Sequence, residues 1–174
     1  DAARTFSAEV PFFRPAELAG DDSSIIAVLQ HAVRWLQASG GPRPDIVVLL
    51  QATSPLRRAE DIDRTVRALA EGADSAQTVA EDRTHPLHRF SSDEQGRLKP
   101  LFAGAEAFDR RQSAPKVYRP TGAVYAAKTE LLMDQGTIYG EDHRGIVCPE
   151  EASVDVDAEV DLAVAEWFLS KRGT

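Results

Sequence analysis

The stretch DIVVLLQATSPLR, residues 45–57, decides the fold. Its first half holds five consecutive apolar residues, Ile46 to Leu50, with no alternation of polar and apolar side chains. An unbroken apolar run of this length is typical of a parallel strand that is covered on both faces. Polar Gln51 ends the run, and the turn residues Thr53, Ser54 and Pro55 follow it. The stretch therefore predicts a buried strand that opens into a loop.

Helices and further strands surround this stretch on both sides. Before it, apolar residues recur at helical spacing from residue 25 to 36, and Gly40 and Gly41 end that helix. After it, Glu60 and Asp61 begin a second helix, Gly72 ends it, and a short strand follows at 76–80. A strand at 121–127, a short helix at 129–134 and a strand at 145–148 come later. Strand, helix and strand in this order predict an α/β fold with a mostly parallel sheet, formed by residues 1–174 as a single domain.

Two regions complete this organisation. Residues 81–118 are irregular, with prolines at 86, 100 and 115, so we interpret them as a subdomain inserted into the sheet fold. The last helix carries Val160, Val164, Trp167 and Phe168 on one face, which we expect to turn towards the core.

Composition excludes several classes of function. The formal net charge is −8, and no basic stripe is long enough to follow a phosphate backbone, so we expect no binding to nucleic acid. No apolar run approaches the roughly 20 residues that span a bilayer, and the N-terminus has no signal pattern. We therefore expect a cytoplasmic protein without a membrane segment. The single cysteine, Cys148, is expected to be an inert core thiol.

A first group of candidate functional residues lies at the end of the apolar strand. Ligands of open α/β sheets bind where such strands end. Gln51 offers a donor and an acceptor to a sugar, and Arg57 offers a planar cation to a carboxylate or a phosphate. The alternative interpretation is a proline turn with a solvated arginine.

A second group is the segment SVDVDAE, residues 153–159, directly before the last helix. Alternate residues of an extended segment point the same way, so Asp155 and Asp157 can bind one hard cation such as Mg²⁺. Alternatively, both acids only complement the positive end of the helix dipole.

A third group concentrates cations in this acidic chain. It comprises Arg110, Arg111, Lys116 and Arg119, and it leads into the segment TGAVY, residues 121–125. Such a concentration indicates an acidic substrate, whereas solvated surface arginines are the plain alternative.

Taken in order, these motifs resemble the acylneuraminate cytidylyltransferase family. The matching segments are RPAELA (14–19), LLQ (49–51) with TSPLR (53–57), HP (85–86), RQ (111–112), RP (119–120), GA (122–123) and VDVD (154–157). The resemblance implies a Rossmann-like nucleotidyltransferase fold, a three-layer sandwich. It also implies transfer of CMP from CTP to a nine-carbon α-keto acid sugar, with release of pyrophosphate, and a homodimer in which residues 81–118 pair with a second copy.

The resemblance also implies roles for individual residues. Arg14 and Ser24 would bind the nucleotide, and Asp155 and Asp157 would hold the Mg²⁺ cofactor. The residues that would bind the sugar or its carboxylate are Gln51, Arg111, Thr121, Tyr125 and Tyr139. Catalysis would rest on Asp155, Asp157 and Arg119.

Two departures from the family pattern leave alternatives open. Thr121 stands where the sialate-using members usually have asparagine, so legionaminate, pseudaminate or an eight-carbon keto sugar are alternative substrates. The family's arginine- and glycine-rich N-terminal loop, together with its strand, is absent from this sequence. A fragment of a longer enzyme and a noncatalytic, sugar-binding or dimerising remnant of the family are the two interpretations of that absence.

Overall fold

The computed structural model describes residues 2–20, 22–102 and 115–172. Its helices are α1 (Ala2–Thr5), α2 (Ile25–Ala38), α3 (Ala59–Ala70), α4 (Thr129–Asp134) and α5 (Glu159–Arg172). Its strands are β1 (Ile46–Leu49), β2 (Ser75–Glu81), β3 (Phe90–Ser92), β4 (Leu98–Pro100), β5 (Tyr118–Lys128) and β6 (His143–Val147). Short 3₁₀ helices cover Ala16–Leu18, Pro86–His88 and Glu150–Ala152. All the helices and sheet strands expected from the sequence are therefore present among the described residues.

The main sheet has the strand order β1-β5-β2-β6. β5 is antiparallel to both β1 and β2, and β6 is parallel to β2, so β1, β2 and β6 share one direction. The described sheet is therefore mixed: three of its four strands share one direction, but β5 runs against both of its neighbours, so only the β2–β6 pair is parallel. The prediction that the apolar run is fully buried was wrong. All four residues of β1 are only partly buried, because β1 is an edge strand of the described sheet.

Helices cover both faces of the sheet. On one face, Leu29 and Val33 of α2 and Leu131 of α4 form a core with Ala127 of β5. On the other face, Ala68 and Leu69 of α3 pack on β2 and β5. Helix layers on both sides of a mixed sheet make the three-layer α/β sandwich that the sequence predicted.

The helix after β1 is fixed at both ends by local chemistry. At the start of α3, the Asp61 carboxylate accepts from the backbone amide of Arg58 at 3.3 Å and from its guanidinium at 2.7 Å. Gly72, with φ of +106°, lets the chain leave the helix in a left-handed conformation. These two features fix where α3 begins and where the chain turns towards β2.

β5 contains the irregularity that shapes the functional site. Its register against β2 shifts between the pairs Gln77 with Tyr125 and Val79 with Pro120, so the chain bulges out around Gly122. The buried hydroxyl of Thr78 fills the bulge, since it accepts hydrogen bonds from the Thr121 hydroxyl at 2.7 Å and the Val124 amide at 3.0 Å. A buried, hydrogen-bonded bulge of this kind re-aims the backbone beside a site.

The chain leaves the main sheet after Glu81 and rejoins it at Tyr118, directly opposite Glu81. Within this excursion, β3 and β4 form a separate antiparallel hairpin. Pairing of this region with a second copy stays a prediction.

The expected orientation of the last helix was wrong. Val160, Val164 and Trp167 are 67%, 41% and 57% exposed, whereas Ala165 is buried. Large apolar residues lie on several sides of α5, so their spacing did not identify the face that is buried at Ala165. Within the described ranges, no helix combines the length and apolar content needed to cross a lipid bilayer.

Candidate functional site

Three segments converge where β1 ends. They are the turn after β1, the bulge of β5, and the extended segment 153–157 that precedes α5. The backbone amide of Val156 donates to the carbonyl of Thr53 at 2.8 Å, and the hydroxyl of Ser54 donates to the carbonyl of Thr121 at 3.1 Å. These long-range bonds bring the first and second groups of predicted residues together with the bulge.

Gly122 lies at the point where these three segments meet. A β-carbon added there would lie 2.5 Å from Oε1 of Gln51, 2.8 Å from Oγ of Ser54 and 3.3 Å from Oδ2 of Asp155. The residue also has a φ of +73°, a conformation that side-chain-bearing residues avoid. We call the arrangement of Gln51, Ser54, Gly122 and Asp155 the glycine cradle, because oxygen atoms surround a backbone position where no side chain fits.

Asp155 carries an unsatisfied atom in the cradle. Its Oδ1 is buried and has no hydrogen-bond partner among the described residues. A buried carboxylate oxygen without a partner is costly, unless a ligand or cation completes its coordination. Mg²⁺ is commonly held by one or two carboxylates plus substrate phosphates, so this oxygen fits the cation.

Asp157 lies differently. Its side chain is exposed, and its backbone amide donates to Oδ2 of Asp161 at 3.1 Å, within the first turn of α5. In the described part of the chain, no group of three or more carboxylate, histidine or cysteine side chains forms a complete metal site. Metal binding by Asp155 and Asp157 therefore remains a prediction, and it would depend on oxygen atoms supplied by the substrate.

Arg57, the arginine of the first predicted group, lies next to the backbone of the cradle. Its Nη1 donates to the carbonyl of Gln51 at 3.1 Å and to the carbonyl of Ala123 at 2.6 Å. Burial lowers the pKa of the Arg57 guanidinium. The alternative of a fully solvated arginine does not describe this side chain, which is partly buried.

Arg119, predicted to be catalytic, contacts the segment that carries Asp155. Its Nη2 lies 3.0 Å from Oγ and 3.4 Å from the carbonyl oxygen of Ser153. Ser153 in turn donates to the carbonyl of Glu150 at 2.7 Å. The guanidinium is thus used, in this structure, to hold the segment two residues before Asp155.

The two aromatic residues predicted to bind the sugar, Tyr125 and Tyr139, lie near each other, and Asp155 is near Tyr125. Tyr125 is partly buried against the α2 core. Burial raises the pKa of its phenol, and the proximity of Tyr139 and Asp155 raises it further. The ring of Tyr139 is 55% exposed and packs edge-on against His143 at 5.2 Å. The structure therefore brings Tyr125, Tyr139 and Asp155 into one region.

Thr121 is placed differently from the prediction. It is 1% exposed, and its hydroxyl is bonded to the hydroxyl of Thr78 inside the sheet. The prediction that this side chain contacts the sugar is therefore corrected. The Thr121 side chain stabilises the bulge and does not face the cradle.

The remaining predicted residues lie away from the cradle or outside the described ranges. Arg14 and Ser24 are both exposed, and no hydrogen bond among the described residues connects their side chains with the cradle. Arg111 lies in the segment 103–114, outside the described residues. Of the other cations, Lys116 forms an ion pair with Glu81 at 2.7 Å.

Two participants in the cradle had no predicted role. Ser54 was interpreted as a turn residue and Gly122 as part of a family motif. Glycine inside an otherwise strand-like run is a signal for a bulge or for close approach of the backbone, and that signal was available at Gly122.

Comparisons with known proteins identify several proteins of similar sequence. No family model matches it. The flagellin modification protein B of Campylobacter coli is 26% identical over 171 residues, which are 98% of this chain and 72% of that protein. The CMP-N,N'-diacetyllegionaminic acid synthase of Legionella pneumophila is 29% identical over 97% of this chain and 72% of its own length. The pseudaminic acid cytidylyltransferase of Campylobacter jejuni is 26% identical over 95% of this chain and 71% of its own length.

A solved structure supports the fold. The crystal structure of 4-diphosphocytidyl-2C-methyl-D-erythritol synthase from Anaerococcus prevotii matches with a TM-score of 0.57 over 86% of this chain and 68% of that chain. The sequences are 11% identical, so this match concerns the fold alone. It agrees with the Rossmann-like nucleotidyltransferase sandwich that the sequence predicted.

Proposed function

We propose that this chain, a homologue of the acylneuraminate cytidylyltransferases, transfers CMP from CTP to an acidic nine-carbon α-keto sugar and releases pyrophosphate. The observation that carries the proposal is the glycine cradle, where Gln51 Oε1 and Asp155 Oδ2 both approach Gly122 and the other carboxylate oxygen of Asp155, Oδ1, is buried without a partner among the described residues. The cradle lies where β1 ends, which is the usual place for a ligand in an open α/β sheet.

The reaction joins two substrates that both carry negative charge. The anomeric hydroxyl of the sugar would attack the α-phosphorus of CTP, and pyrophosphate would leave. Asp155 and Asp157 would hold Mg²⁺, and the bound cation would neutralise the charge that develops on the phosphates. The protein's main contribution would be to position the sugar hydroxyl in line with the phosphorus.

The side chains around the cradle divide this work. Gln51 offers both hydrogen-bond donors and an acceptor to the sugar. Tyr125 and Tyr139, on the same side as Asp155, would pack against the sugar's apolar substituents. Arg119 would keep the Asp155 segment in place through Ser153.

The proposal is tested by measuring pyrophosphate release from CTP. The assay contains Mg²⁺ and, one at a time, N-acetylneuraminate, N,N'-diacetyllegionaminate, pseudaminate and an eight-carbon keto sugar. Both the 174-residue chain and the full natural protein are assayed. Turnover of any nine-carbon sugar supports the proposal, and the preferred sugar specifies it. If neither protein releases pyrophosphate with any sugar, the proposed activity is wrong.

The β3–β4 hairpin supports a second part of the proposal, a homodimer. Phe90 and Leu98 are 53% and 65% exposed, and the pairing of β3 with β4 places them on the same face of the hairpin. Leu101 and Phe102 are also about half exposed, at 55% and 48%. Clusters of exposed large apolar side chains mark interaction sites on proteins, and a second copy of the chain would cover this one.

The dimer is tested by sedimentation of matched hairpin variants. Leu98→Asp places a charge on the apolar face, whereas Lys99→Asp places the same charge on the opposite face, since Lys99 pairs with Ser91. We expect a dimer for the parent and for Lys99→Asp, and a monomer for Leu98→Asp. A monomeric parent, or equal behaviour of the two variants, would rule out this interface.

A further inference from the structure

Arg57 is a cation whose described partners are all uncharged. Its side chain is partly buried between the turn after β1 and the bulge of β5. Both of its hydrogen bonds go to backbone carbonyls, and no carboxylate among the described residues forms an ion pair with it. Desolvating a guanidinium costs free energy, so a site that keeps one without a counter-charge uses its hydrogen-bond geometry.

The two carbonyls show which parts of the site Arg57 connects. One belongs to Gln51, whose side-chain oxygen would lie 2.5 Å from a β-carbon added at Gly122, and the other belongs to Ala123, the residue directly after Gly122. These residues are 72 positions apart in the chain, on two different elements. A single nitrogen of Arg57 therefore bridges the two sides of the glycine cradle from below.

The neighbouring arginine shows that this role belongs to position 57 alone. Arg58 points away from the cradle to Asp61, which is 1% exposed, and donates to it from Nε at 3.0 Å and from Nη2 at 2.7 Å. Arg58 thus stabilises the start of α3 through a carboxylate. Two adjacent arginines of one loop serve separate purposes, which makes Arg58 a matched control for Arg57.

We propose that Arg57 is a positioning residue for the transfer reaction: it fixes the backbone of Gln51 relative to the bulge at Gly122, and thereby the point from which the Gln51 amide reaches the sugar beside Asp155. This inference rests on the proposed function. The backbone carbonyl of Gln51 cannot shift without stretching a bond to a group that is also bonded to Ala123, so the base of the Gln51 side chain stays beside the bulge. The guanidinium does not bind substrate in this role.

Lysine cannot replace arginine here. An ammonium group is a compact, strongly hydrated charge at the end of a flexible chain, whereas the guanidinium is a planar group with donors in a fixed geometry. A lysine at position 57 would reach one carbonyl at a time and leave the other unsatisfied. Misplacement of a reacting group by about 1 Å can cost about 100-fold in rate.

The test uses the full natural protein and its preferred sugar, with Arg57→Lys, Arg57→Met, Arg57→Ala and the control Arg58→Met. We measure kcat, the KM for the sugar, the KM for CTP, and the free energy of unfolding. Arg57→Lys and Arg57→Met are expected to lower kcat by about 100-fold. Because the proposed role of Arg57 concerns the sugar, the KM for CTP should stay within about twofold of the parent value, a change well below tenfold. Arg58→Met should lower stability and leave kcat unchanged.

Chemical rescue adds a readout that loss of stability would not produce. Added methylguanidinium should restore part of the kcat of Arg57→Ala, because it can occupy the vacated position and bond both carbonyls, and it should have no effect on Arg58→Met. Three results would overturn the proposal: parent-like kcat in Arg57→Lys, equal kcat losses in Arg57→Met and Arg58→Met, or a rise in the KM for CTP with unchanged kcat. An inactive parent protein would instead count against the proposed function, so the two failures are distinguishable.

Discussion

Oε1 of Gln51 lies 2.5 Å from the position that a β-carbon would take at Gly122. The amide therefore occupies space that only a glycine leaves free. This close approach joins the loop after the apolar strand to the bulge of β5, and it determines where the amide of Gln51 can lie relative to Asp155.

Replacing Gly122 with alanine should damage both stability and activity. The left-handed backbone costs a non-glycine residue about 1–2 kcal/mol, and the new methyl group would also displace Gln51 and Ser54. Pyrophosphate release should fall with it. Gly136→Ala is the matched control, since Gly136 has a φ of +65° and no atom within 4 Å of an added β-carbon.

The control should lose a similar backbone free energy in urea denaturation and keep its activity. If Gly136→Ala loses as much activity as Gly122→Ala, backbone strain alone explains the effect and the cradle has no special role.

Asp155→Asn should abolish Mg²⁺-dependent turnover without destabilising the fold. The buried oxygen has no hydrogen-bond partner among the described residues, so removing its charge costs the folded state little. Loss of the carboxylate should lower kcat by about 100-fold or more, as loss of a group that stabilises developing charge does in other enzymes. Asp157→Asn is expected to lose turnover as well, because both acids are proposed ligands.

The measurement is pyrophosphate release titrated with Mg²⁺, with Glu151→Gln as the control. Glu151 is an exposed acid four residues upstream of Asp155, and its loss should change neither rate nor Mg²⁺ dependence. A parent-like rate in Asp155→Asn would remove the proposed metal ligand.

Local patterns predicted most of the fold. The apolar run at residues 46–50 predicted β1, and the first-turn acids with Gly72 predicted α3, because strands and helices of this kind are encoded by neighbouring residues. The inward face of α5 could not be predicted in this way. Its large apolar residues lie on several sides, and the choice of face depends on which surface of the rest of the protein it meets.

The cradle depends on contacts between distant residues, which is why spacing identified only part of it. The Thr121 hydroxyl is bonded to Thr78, 43 positions away, and the Arg57 guanidinium to Ala123, 66 positions away. A pattern read along the chain could indicate that Gln51 follows an apolar strand and that Asp155 precedes a helix. It could not show that Gly122 lies between them, or that Thr121 turns inward.

Cys148 should resist alkylation in the folded protein. Burial, with a further contribution from nearby Asp61, raises the pKa of its thiol to about 12. Only the thiolate reacts, so at pH 8 iodoacetamide should label the native protein about 1000-fold more slowly than the urea-unfolded protein. Mass spectrometry measures both rates. Rapid, stoichiometric labelling of the native protein would contradict the inert thiol that the sequence predicted.

The ion pair between Arg58 and Asp61 should make stability depend on pH. Burial works to raise the pKa of the Asp61 carboxyl, but hydrogen bonds from Arg58 and from Cys148 outweigh it, and the pKa is lowered. A carboxyl whose folded pKa lies below its unfolded value of about 3.9 stabilises the fold above that pH. The contribution is lost as the pH falls through the folded pKa, where the unfolded chain has already bound its proton.

Asp61→Asn should therefore reduce the free energy of unfolding by about 1–2 kcal/mol at pH 7, less than for a fully buried pair, because the Arg58 side chain is 35% exposed and water can solvate it. The difference from the parent should shrink steadily as urea denaturation is repeated from pH 5 down to pH 3. Asp142→Asn is the control, because Asp142 pairs with Arg144 at the surface, where both side chains are at least 39% exposed. Solvent screens that pair, so its loss should change stability little at any pH. A constant Asp61→Asn difference across this range would show that the carboxyl stabilises α3 by shape and not by charge.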